Sequence, residues 1–374
     1  MIRTALQFIM FDKAKSIGAL VGTVMSVFLI GQQSGIFIFL INAMSSLVRN
    51  NTDYVWVVDD KTTNVNALAI LDTRIGNELQ SIDGVENVYP VVITPAAAKF
   101  SNGKSAGITI IGVKAPAYAG GPWNLMTGRK SDILQDGAII TEYFDSKSLG
   151  DLAPGQYFEI NGKQVFNAAL TRGVRAFGGG VYTFTTIERA RYLVNMASDK
   201  ASAFLVKVKN TEDEPAVIER INKAIYGVHA WNAHDFTKET IITVLKTSGI
   251  AISFGTLIFF ALIVGFVIIG LTLYSSAIDR IRDYGTLKAI GANNTYIRKL
   301  IITQAMIISV AGFVIGTLVT EGFRFGIAKS GAIFDYPLWL RFTFLVATLL
   351  IALSGSMFAV RRITSLEPAQ VFRG

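Results

Sequence analysis

The 374-residue sequence contains no cysteine and only two histidines, His229 and His234. A disulfide, a thiolate metal site and an all-histidine metal cage are therefore excluded. A Walker A phosphate loop requires G-x-x-x-x-G-K-[ST], and Gly128-Arg129-Lys130-Ser131 lacks the upstream glycine at that spacing. These absences predict a chain with no ATP-hydrolysing machinery, no catalytic site and no cofactor of its own.

Charge is also missing from long parts of the chain. The stretches without Asp, Glu, Lys or Arg are Ser16–Val48, Thr247–Ile278, Leu300–Thr320 and Phe342–Val360. Each approaches or exceeds the roughly 20 apolar residues that cross a bilayer, which predicts an α-helical membrane protein with four transmembrane helices. Gradient-driven transporters ordinarily need buried carboxylates or histidines, so this class of transporter is not expected.

Basic residues flank these stretches and set their direction. They are Arg3, Lys13 and Lys15 before the first, Arg280, Arg282, Lys288, Arg298 and Lys299 between the second and third, and Arg361, Arg362 and Arg373 after the fourth. The positive-inside rule then places both termini and the loop 279–299 in the cytoplasm, and residues from about 50 to 246 outside it. We therefore predict a multi-pass protein of the bacterial cytoplasmic (inner) membrane. The net charge of +8 reflects orientation in a lipid membrane, and no nucleic-acid partner is expected.

The first two charge-free stretches run past 30 residues, whereas the third and fourth fit a bilayer closely. As continuous helices the long pair would reach about 45–50 Å, against about 30 Å of hydrocarbon. We expect both to continue into water as a stalk, with tilt or an apolar linker as the alternative. The first stretch also exceeds the about 7–15 apolar residues of a signal peptide, so it is expected to be retained.

Three regions follow: 1–48 with the first transmembrane and stalk helix, an extracytoplasmic domain 49–246, and a membrane core 247–374. In the outer domain the predicted elements are strand Tyr54–Val58, helix Ala67–Ser81, strand Gly84–Ile93, strand Ala203–Val208, helix Glu214–Ile225 and strand Val228–Trp231. Two such β-α-β halves would pair into one ferredoxin-like α/β module with a β-rich insertion at about 100–200.

The loop 279–299 is the most informative segment. Leu287 and Ile290 are apolar residues at i,i+3 among charged residues, and Gly285 and Gly291 are glycines that can break or end a helix. Asn293 or Asn294 is placed to cap the helix that becomes the third span. The pattern predicts a short amphipathic helix along the inner membrane surface, suited to a groove on a cytosolic partner.

This loop resembles that of the MacB/FtsX-like (type VII) ABC-transporter permeases, especially the cyanobacterial DevC-type subunits. The family pattern is roughly R-x-x-E-[IL]-G-x-L-[KR]-A-[IL]-G-A, and the ending Glu367–Arg373 is similar to the family's closing P-x-x-[AV]-[LF]-R. Tyr284 and Gly285 depart from this pattern where Glu-Ile-Gly is common, and Gln304 replaces a frequent glutamate. The resemblance implies these ATPase-coupling residues: Arg280, Arg282, Gly285, Thr286, Leu287, Lys288, Ile290 and Gly291.

The resemblance further implies an efflux permease that works as a homodimer by mechanotransmission. A separate cytosolic ABC ATPase would bind ATP and Mg, and its closure would drive export or extraction of an amphipathic or hydrophobic substrate. A membrane-fusion adaptor and an outer-membrane channel are further partners in such systems. The alternative is a regulatory FtsX-like subunit that controls a cell-wall hydrolase or senses a peptide. A membrane-anchored assembly protein without an ATPase would leave the loop helix unexplained.

Overall fold

The computed structural model describes residues 1–11, 13–144, 149, 152–174, 176–328 and 334–364. The chain divides into two compact units, one formed by Met1–Phe39 and Ile250–Gly374 and the other by Leu40–Gly249. The closing motif Glu367–Arg373 lies outside the described residues.

In the described residues, helices precede and follow a central part, residues 55–231, in which strands and helices are mixed. The α-helices are α1 (Ile2–Phe11), α2 (Lys13–Met44), α3 (Ser46–Arg49), α4 (Arg74–Gln80), α5 (Ile187–Val194), α6 (Glu214–Ala224), α7 (Ala233–Ser248), α8 (Ile250–Asp279), α9 (Ile281–Ala289), α10 (Asn294–Ala328) and α11 (Leu338–Thr364). The strands are β1 (Val55–Asp59), β2 (Leu71–Asp72), β3 (Val85–Lys99), β4 (Ser105–Val113), β5 (Ala138–Glu142), β6 (Tyr157–Ile160), β7 (Lys163–Thr171), β8 (Val181–Thr186), β9 (Lys200–Ala201), β10 (Ala203–Val208) and β11 (Val228–Trp231).

Helices α2, α8, α10 and α11 are each long and apolar enough to cross a membrane, which confirms the predicted fold class. The third charge-free stretch fits a bilayer closely, but the helix that contains it, α10, extends well beyond that stretch. With 35 residues α10 is longer than α2 with 32 and α8 with 30. A charged residue ends an apolar stretch of sequence but does not end a helix, so α10 continues through Arg298 and Lys299 at one end and Glu321 and Arg324 at the other.

The predicted second span begins at Thr247, but the structure separates that residue from α8. Helix α7 ends at Ser248, and Gly249 adopts the left-handed conformation with φ 66°. Glycine favours this helix-terminating geometry because it has no Cβ to clash with the backbone. Helix α8 then starts afresh at Ile250, so the second span is not one helix with the segment before it.

Glycines bring the membrane helices into close contact. A Cβ atom built on Gly312 of α10 would lie 2.5 Å from Cγ2 of Thr23 on α2. A Cβ on Gly355 of α11 would lie 3.0 Å from Cα of Gly270 on α8. Small residues of this kind let helix backbones approach in lipid, where packing rather than a hydrophobic driving force holds helices together.

An ion-pair cluster joins α10 to the start of α11. Glu321 pairs through one carboxylate oxygen with Arg341, and its other oxygen lies 2.7 Å from Nε of Arg324. Arg341 Nε also donates to the backbone oxygen of Tyr336 at 3.1 Å. This cluster is at the end of α10 opposite the 279–299 loop, where the helix leaves the apolar layer.

The outer unit contains the predicted ferredoxin-like sheet. Strands β11, β1, β10 and β3 lie side by side in that order, and all their pairings are antiparallel. Numbered within the module, this is the order 4-1-3-2 of two interlocked β-α-β halves. The predicted helix Ala67–Ser81 is too long, since α4 covers only Arg74–Gln80. Leu71 and Asp72 instead form β2, which pairs with the distant strand β9.

The β-rich insertion is a closed barrel that shares β3 with the sheet. Residues 85–91 of β3 pair with β10, and residues 92–99 pair with β4. From β4 the order continues through β8, β5, β7 and β6, and β6 pairs back to β3 at Ala98 and Lys99. Ring closure leaves no free edge in this six-stranded barrel.

We expect Gly312→Leu to destabilise the helix bundle, because the added side chain must displace Thr23 of α2. Overpacking of a tight core typically costs about 1–3 kcal/mol. Gly322→Leu on the same helix is the matched control, since a Cβ there meets no atom within 4 Å. Thermal unfolding in detergent should show a lower Tm for Gly312→Leu only. Equal Tm values for the two variants would contradict the glycine-mediated contact.

Candidate functional site at the cytoplasmic end of the helix bundle

The predicted loop helix is present as α9, and its C-terminal end is closed by a Schellman motif. The amide of Ala292 donates to the oxygen of Leu287 at 2.9 Å, and the amide of Gly291 donates to the oxygen of Lys288 at 3.0 Å. Gly291 has φ 104°, a left-handed conformation that strongly favours glycine. Gly291 therefore fixes where α9 stops and the chain turns.

The turn leads directly into α10. Of the two asparagines considered from the sequence, Asn293 is the cap: its Oδ1 accepts a hydrogen bond from the amide of Tyr296 at 2.8 Å. Helix α10 begins at the next residue, Asn294. The short 290–293 turn therefore connects α9 closely to a membrane-spanning helix.

One side of α9 is buried in the bundle through Tyr284 and Gly285. The Tyr284 ring packs 5.5 Å from the ring of Phe8 on α1, and it belongs to the same apolar cluster as Ile297 and Leu300 of α10. Burial raises the pKa of the Tyr284 hydroxyl, with the nearby Gln304 side chain and the Arg280 charge acting in the opposite direction. The hydroxyl is thus protonated at neutral pH.

Gln304 lies in a polar setting within an otherwise apolar bundle. It borders a cavity of about 10 Å³ whose lining also includes Ser16 of α2 and Thr272 and Ser276 of α8. This volume is about that needed by one water molecule. Gln304 therefore lies in a small polar region formed by side chains of α2, α8 and α10.

Arg280, between α8 and α9, is almost completely buried at 8% exposure. Its guanidinium carbon lies 4.8 Å from the ring centroid of Phe8 and 5.0 Å from that of Phe11. Cation–π contacts of this kind are strongest where the cation is desolvated. The preceding residue, Asp279, pairs with Lys15 of α2. The junction between α8 and α9 thus contacts both α1 and α2.

Lys288 and Leu287 face the bundle. Nζ of Lys288 donates to the backbone oxygens of Ile363 at 3.3 Å and Thr364 at 3.1 Å, at the last turn of α11. A cation at this position satisfies terminal carbonyls and complements the helix dipole. Leu287 is half-buried beside the same apolar cluster. Of the residues implied for coupling, these two, with Arg280 and Gly285, are directed inward.

The opposite face of α9 is exposed. It consists of Arg282, Asp283, Thr286, Ala289 and Ile290, which we call the α9 outer face. These positions follow the i, i+1, i+4, i+7, i+8 spacing of one helical surface. Ile290 is 77% exposed, a large apolar side chain presented to the cytoplasm. The implied residues Arg282, Thr286, Ile290 and Gly291 are therefore the accessible ones.

Sequence reasoning did not identify Phe8 and Phe11 as part of this site, because it treated residues before the first span only as a basic flank. Tyr284 and Gln304 were noted only as departures from the family pattern. The structure places Gln304 near Tyr284, 20 positions away in the sequence, because α10 starts only a few residues after α9.

In the outer unit, the exposed side chain of His234 lies next to that of Asp235. Nδ1 of His234 lies 3.7 Å from Oδ1 of Asp235, and His234 is largely exposed. The pair borders an open cleft of about 680 Å³ at the start of α7, which Arg49 and Glu214 also line. Asn232 caps this helix by accepting from the amide of Asp235 at 2.7 Å. Within the described ranges, no group of three or more His, Cys, Asp or Glu side chains is arranged to hold a metal ion.

Sequence comparisons match the membrane part of the chain. Residues 255–368 match the family described as FtsX-like permease C-terminal. An uncharacterized ABC transporter permease of Mycobacterium tuberculosis (strain H37Rv) is 30% identical over 112 residues, which cover 30% of this chain and 31% of that protein. One from Methanocaldococcus jannaschii is 28% identical over 182 residues, 45% of each chain. The chain thus spans 31% of the length of the first relative and 45% of the length of the second, less than half of either.

Structural comparisons match the outer unit more loosely. The extracellular domain of the noncanonical ABC-type transporter YknZ from Gram-positive bacteria aligns with a TM-score of 0.35 at 15% identity, over 48% of this chain and 99% of that one. The periplasmic region of MacB from Actinobacillus actinomycetemcomitans aligns with a TM-score of 0.38 at 12% identity, over 53% and 94%.

We expect Tyr284→Ala to lower the thermal stability of the protein in detergent, because it removes a buried ring that packs against Phe8 and the start of α10. Truncating a large buried aromatic side chain typically costs about 3–5 kcal/mol. Tyr226→Ala provides the matched control, since Tyr226 is 99% exposed. An unchanged Tm for Tyr284→Ala would show that the packing of this ring contributes nothing to holding α9.

Proposed function

Because residues 255–368 form an FtsX-like permease C-terminal domain, we propose that this chain is the membrane-spanning subunit of an ABC transporter. A separate cytosolic ATPase subunit binds ATP and Mg and hydrolyses the nucleotide. A second copy of this chain completes a homodimer in the bacterial cytoplasmic membrane. The observation that carries the proposal is α9, a short helix with one face fixed in the bundle and the other exposed to the cytoplasm.

The ATPase docks on the α9 outer face. Ile290 supplies an apolar anchor, and Arg282 and Thr286 supply polar contacts at its rim. Isolated apolar anchors of this kind are typical of helix-in-groove recognition. Leu287 and Lys288 have a different part: they connect α9 to the apolar cluster and to the end of α11, so a displacement of α9 is passed on to the membrane helices.

The proposed mode of action is mechanotransmission. Motion of α9 is transferred through Arg280 to α8 and α1, through Tyr284 to α10 and through Lys288 to α11. Helices packed backbone to backbone, as at Gly270 and Gly355, resist local deformation and move together. Such a bundle needs no cargo path through the membrane.

The cargo is therefore handled outside the cytoplasm, by the unit Leu40–Gly249. A molecule that reaches this unit without crossing the bundle comes from the outer leaflet or from the space beyond it, which favours an amphipathic or hydrophobic substrate. Export past an outer membrane would require a membrane-fusion adaptor and an outer-membrane channel as further partners. The direction of work is extraction or efflux, powered by ATP.

We expect Ile290→Asp to release the ATPase, because burying one large apolar side chain at an interface is worth about 1.5–3 kcal/mol and a carboxylate opposes that burial. Thr295→Asp is the control, since it adds the same charge at an exposed position in the first turn of α10. The measurement is the yield of ABC ATPase that co-purifies with each variant in mild detergent. Wild-type yield with Ile290→Asp would show that the ATPase docks elsewhere.

Transport should depend on ATP and be indifferent to the proton gradient, because the charge-free stretches of the spans contain no Asp, Glu, His, Lys or Arg. Vesicles containing the chain and its ATPase can be supplied with ATP, with and without an uncoupler, while release of an amphipathic fluorescent lipid from the outer leaflet is followed. We expect the same rate in both conditions. A rate that collapses with the gradient, at constant ATP, would refute mechanotransmission as the mode of action.

A further inference from the structure

The tripeptide Asn-Gly-Lys occurs twice in the sequence, as Asn102-Gly103-Lys104 and as Asn161-Gly162-Lys163. Each lies in a hairpin turn of the barrel: the first connects β3 to β4, and the second connects β6 to β7. Asparagine is chemically least stable before glycine, because glycine has no Cβ to shield its amide nitrogen. That nitrogen can attack the Cγ atom of the preceding asparagine side chain.

The two turns agree in the features that commonly set this reactivity. Asn102 and Asn161 are both exposed. Gly103 and Gly162 have left-handed φ values of 79° and 75°, and a Cβ atom on either would meet no described atom within 4 Å. Tripeptide sequence, exposure and crowding therefore do not distinguish the two sites.

The side chain of Asn161 is held by two other segments of the chain. Its Oδ1 accepts a hydrogen bond from the amide of Ala97 on β3 at 3.2 Å, and its Nδ2 donates to the backbone oxygen of Leu193 in α5 at 3.2 Å. The backbone amide of Asn161 donates to the oxygen of Ala97 at 2.9 Å. Both side-chain bonds must break before Cγ of Asn161 can turn towards the nitrogen of Gly162.

The side chain of Asn102 is held only within its own turn. Its Oδ1 accepts from the amide of Lys104 at 3.0 Å, and this is its only side-chain hydrogen bond to the described part of the chain. Such an Asx turn keeps Cγ beside the peptide unit that follows. The amide of Gly103 donates to the oxygen of Phe100 at 2.9 Å, so one exposed turn bond has to open for the attack.

We propose that Asn102 is a site of spontaneous deamidation, and that the same tripeptide at Asn161 is protected by its two side-chain hydrogen bonds. The amide nitrogen of Gly103 loses its proton to the solvent and attacks Cγ of Asn102. The new N–Cγ bond closes a succinimide ring, and the side-chain nitrogen takes up a proton and leaves as ammonia. Water then opens the ring at either carbonyl and gives aspartate or isoaspartate. The reaction needs only water and base.

The modification changes the barrel next to the place where it closes. Ala98 and Lys99, just before this turn, pair with β6 to complete the ring of strands. Phe100 is buried and stacks on Phe158 of β6 with the ring centroids 5.5 Å apart. Either product adds a carboxylate beside these residues, and isoaspartate also lengthens the backbone of the turn by a methylene group. This chemistry is independent of the proposed function.

The test follows both sites in the same molecules. The full-length chain in detergent is kept in warm, mildly alkaline buffer, and samples taken at intervals are digested with trypsin under mildly acidic conditions. Cleavage after Lys99 and Lys104 releases the peptide that contains Asn102, and cleavage after Lys163 ends the peptide that contains Asn161. Mass spectrometry measures the deamidated fraction of each peptide, and chromatography separates aspartate from isoaspartate. The same two peptides, incubated after digestion, give the rates without the fold.

Each rate in the folded chain is divided by the rate of its free peptide, which removes the effect of the residues before each asparagine. We expect this ratio to be higher at Asn102 than at Asn161 by roughly tenfold or more, since two hydrogen bonds of ordinary strength oppose the reaction at Asn161. Asn102→Gln is the control: it should abolish the signal from the first peptide alone, because glutamine would have to react through a larger ring that forms far more slowly.

Equal ratios at the two sites, or a higher ratio at Asn161, would overturn the proposal. So would an Asn102 that stays unmodified in the folded chain while its free peptide reacts, because that result means the Asx turn protects the first site as well.

Discussion

Close backbone packing in the membrane unit is the constraint on which the rest of the molecule depends. In lipid the hydrophobic effect gives apolar helices little drive to associate, so close packing holds the bundle together. Thr23 packs against Gly312, and Gly270 lies against Gly355 with no side chain between them. Contacts of this kind tolerate little local rearrangement. A unit that cannot deform locally responds to force by moving as a whole, which is the property that a transmitted stroke requires.

At the cytoplasmic end this bundle is connected to α9 by interactions of different chemical types. Arg280 makes cation–π contacts, Tyr284 packs in an apolar cluster with α10, and Lys288 donates to the carbonyl end of α11. Each connects α9 to a different helix. The exposed face of α9 is therefore accessible while the opposite face is held by the bundle; in the proposed function, this would separate ATPase binding from transmission within one nine-residue helix.

The elements that could be predicted from the sequence are those set by local pattern. Absence of charge located the spans, and the alternation in Ala203–Val208 and the helical spacing in Glu214–Ile225 located one β-α-β half. The remainder depends on distant partners. Leu71 and Asp72 leave the helical pattern because Lys200 and Ala201 pair with them, and the barrel closes because β6 returns to the far end of β3. Neither pairing can be predicted from a short stretch of sequence, because the paired strands are far apart in the chain.

The same contrast explains the coupling region. The motif in 280–291 identified the helix but not its orientation, because Leu287 and Ile290 are equally apolar and only the fold decides which of them is buried. Helix α1 was missed because ten residues with one charge are too short for a span.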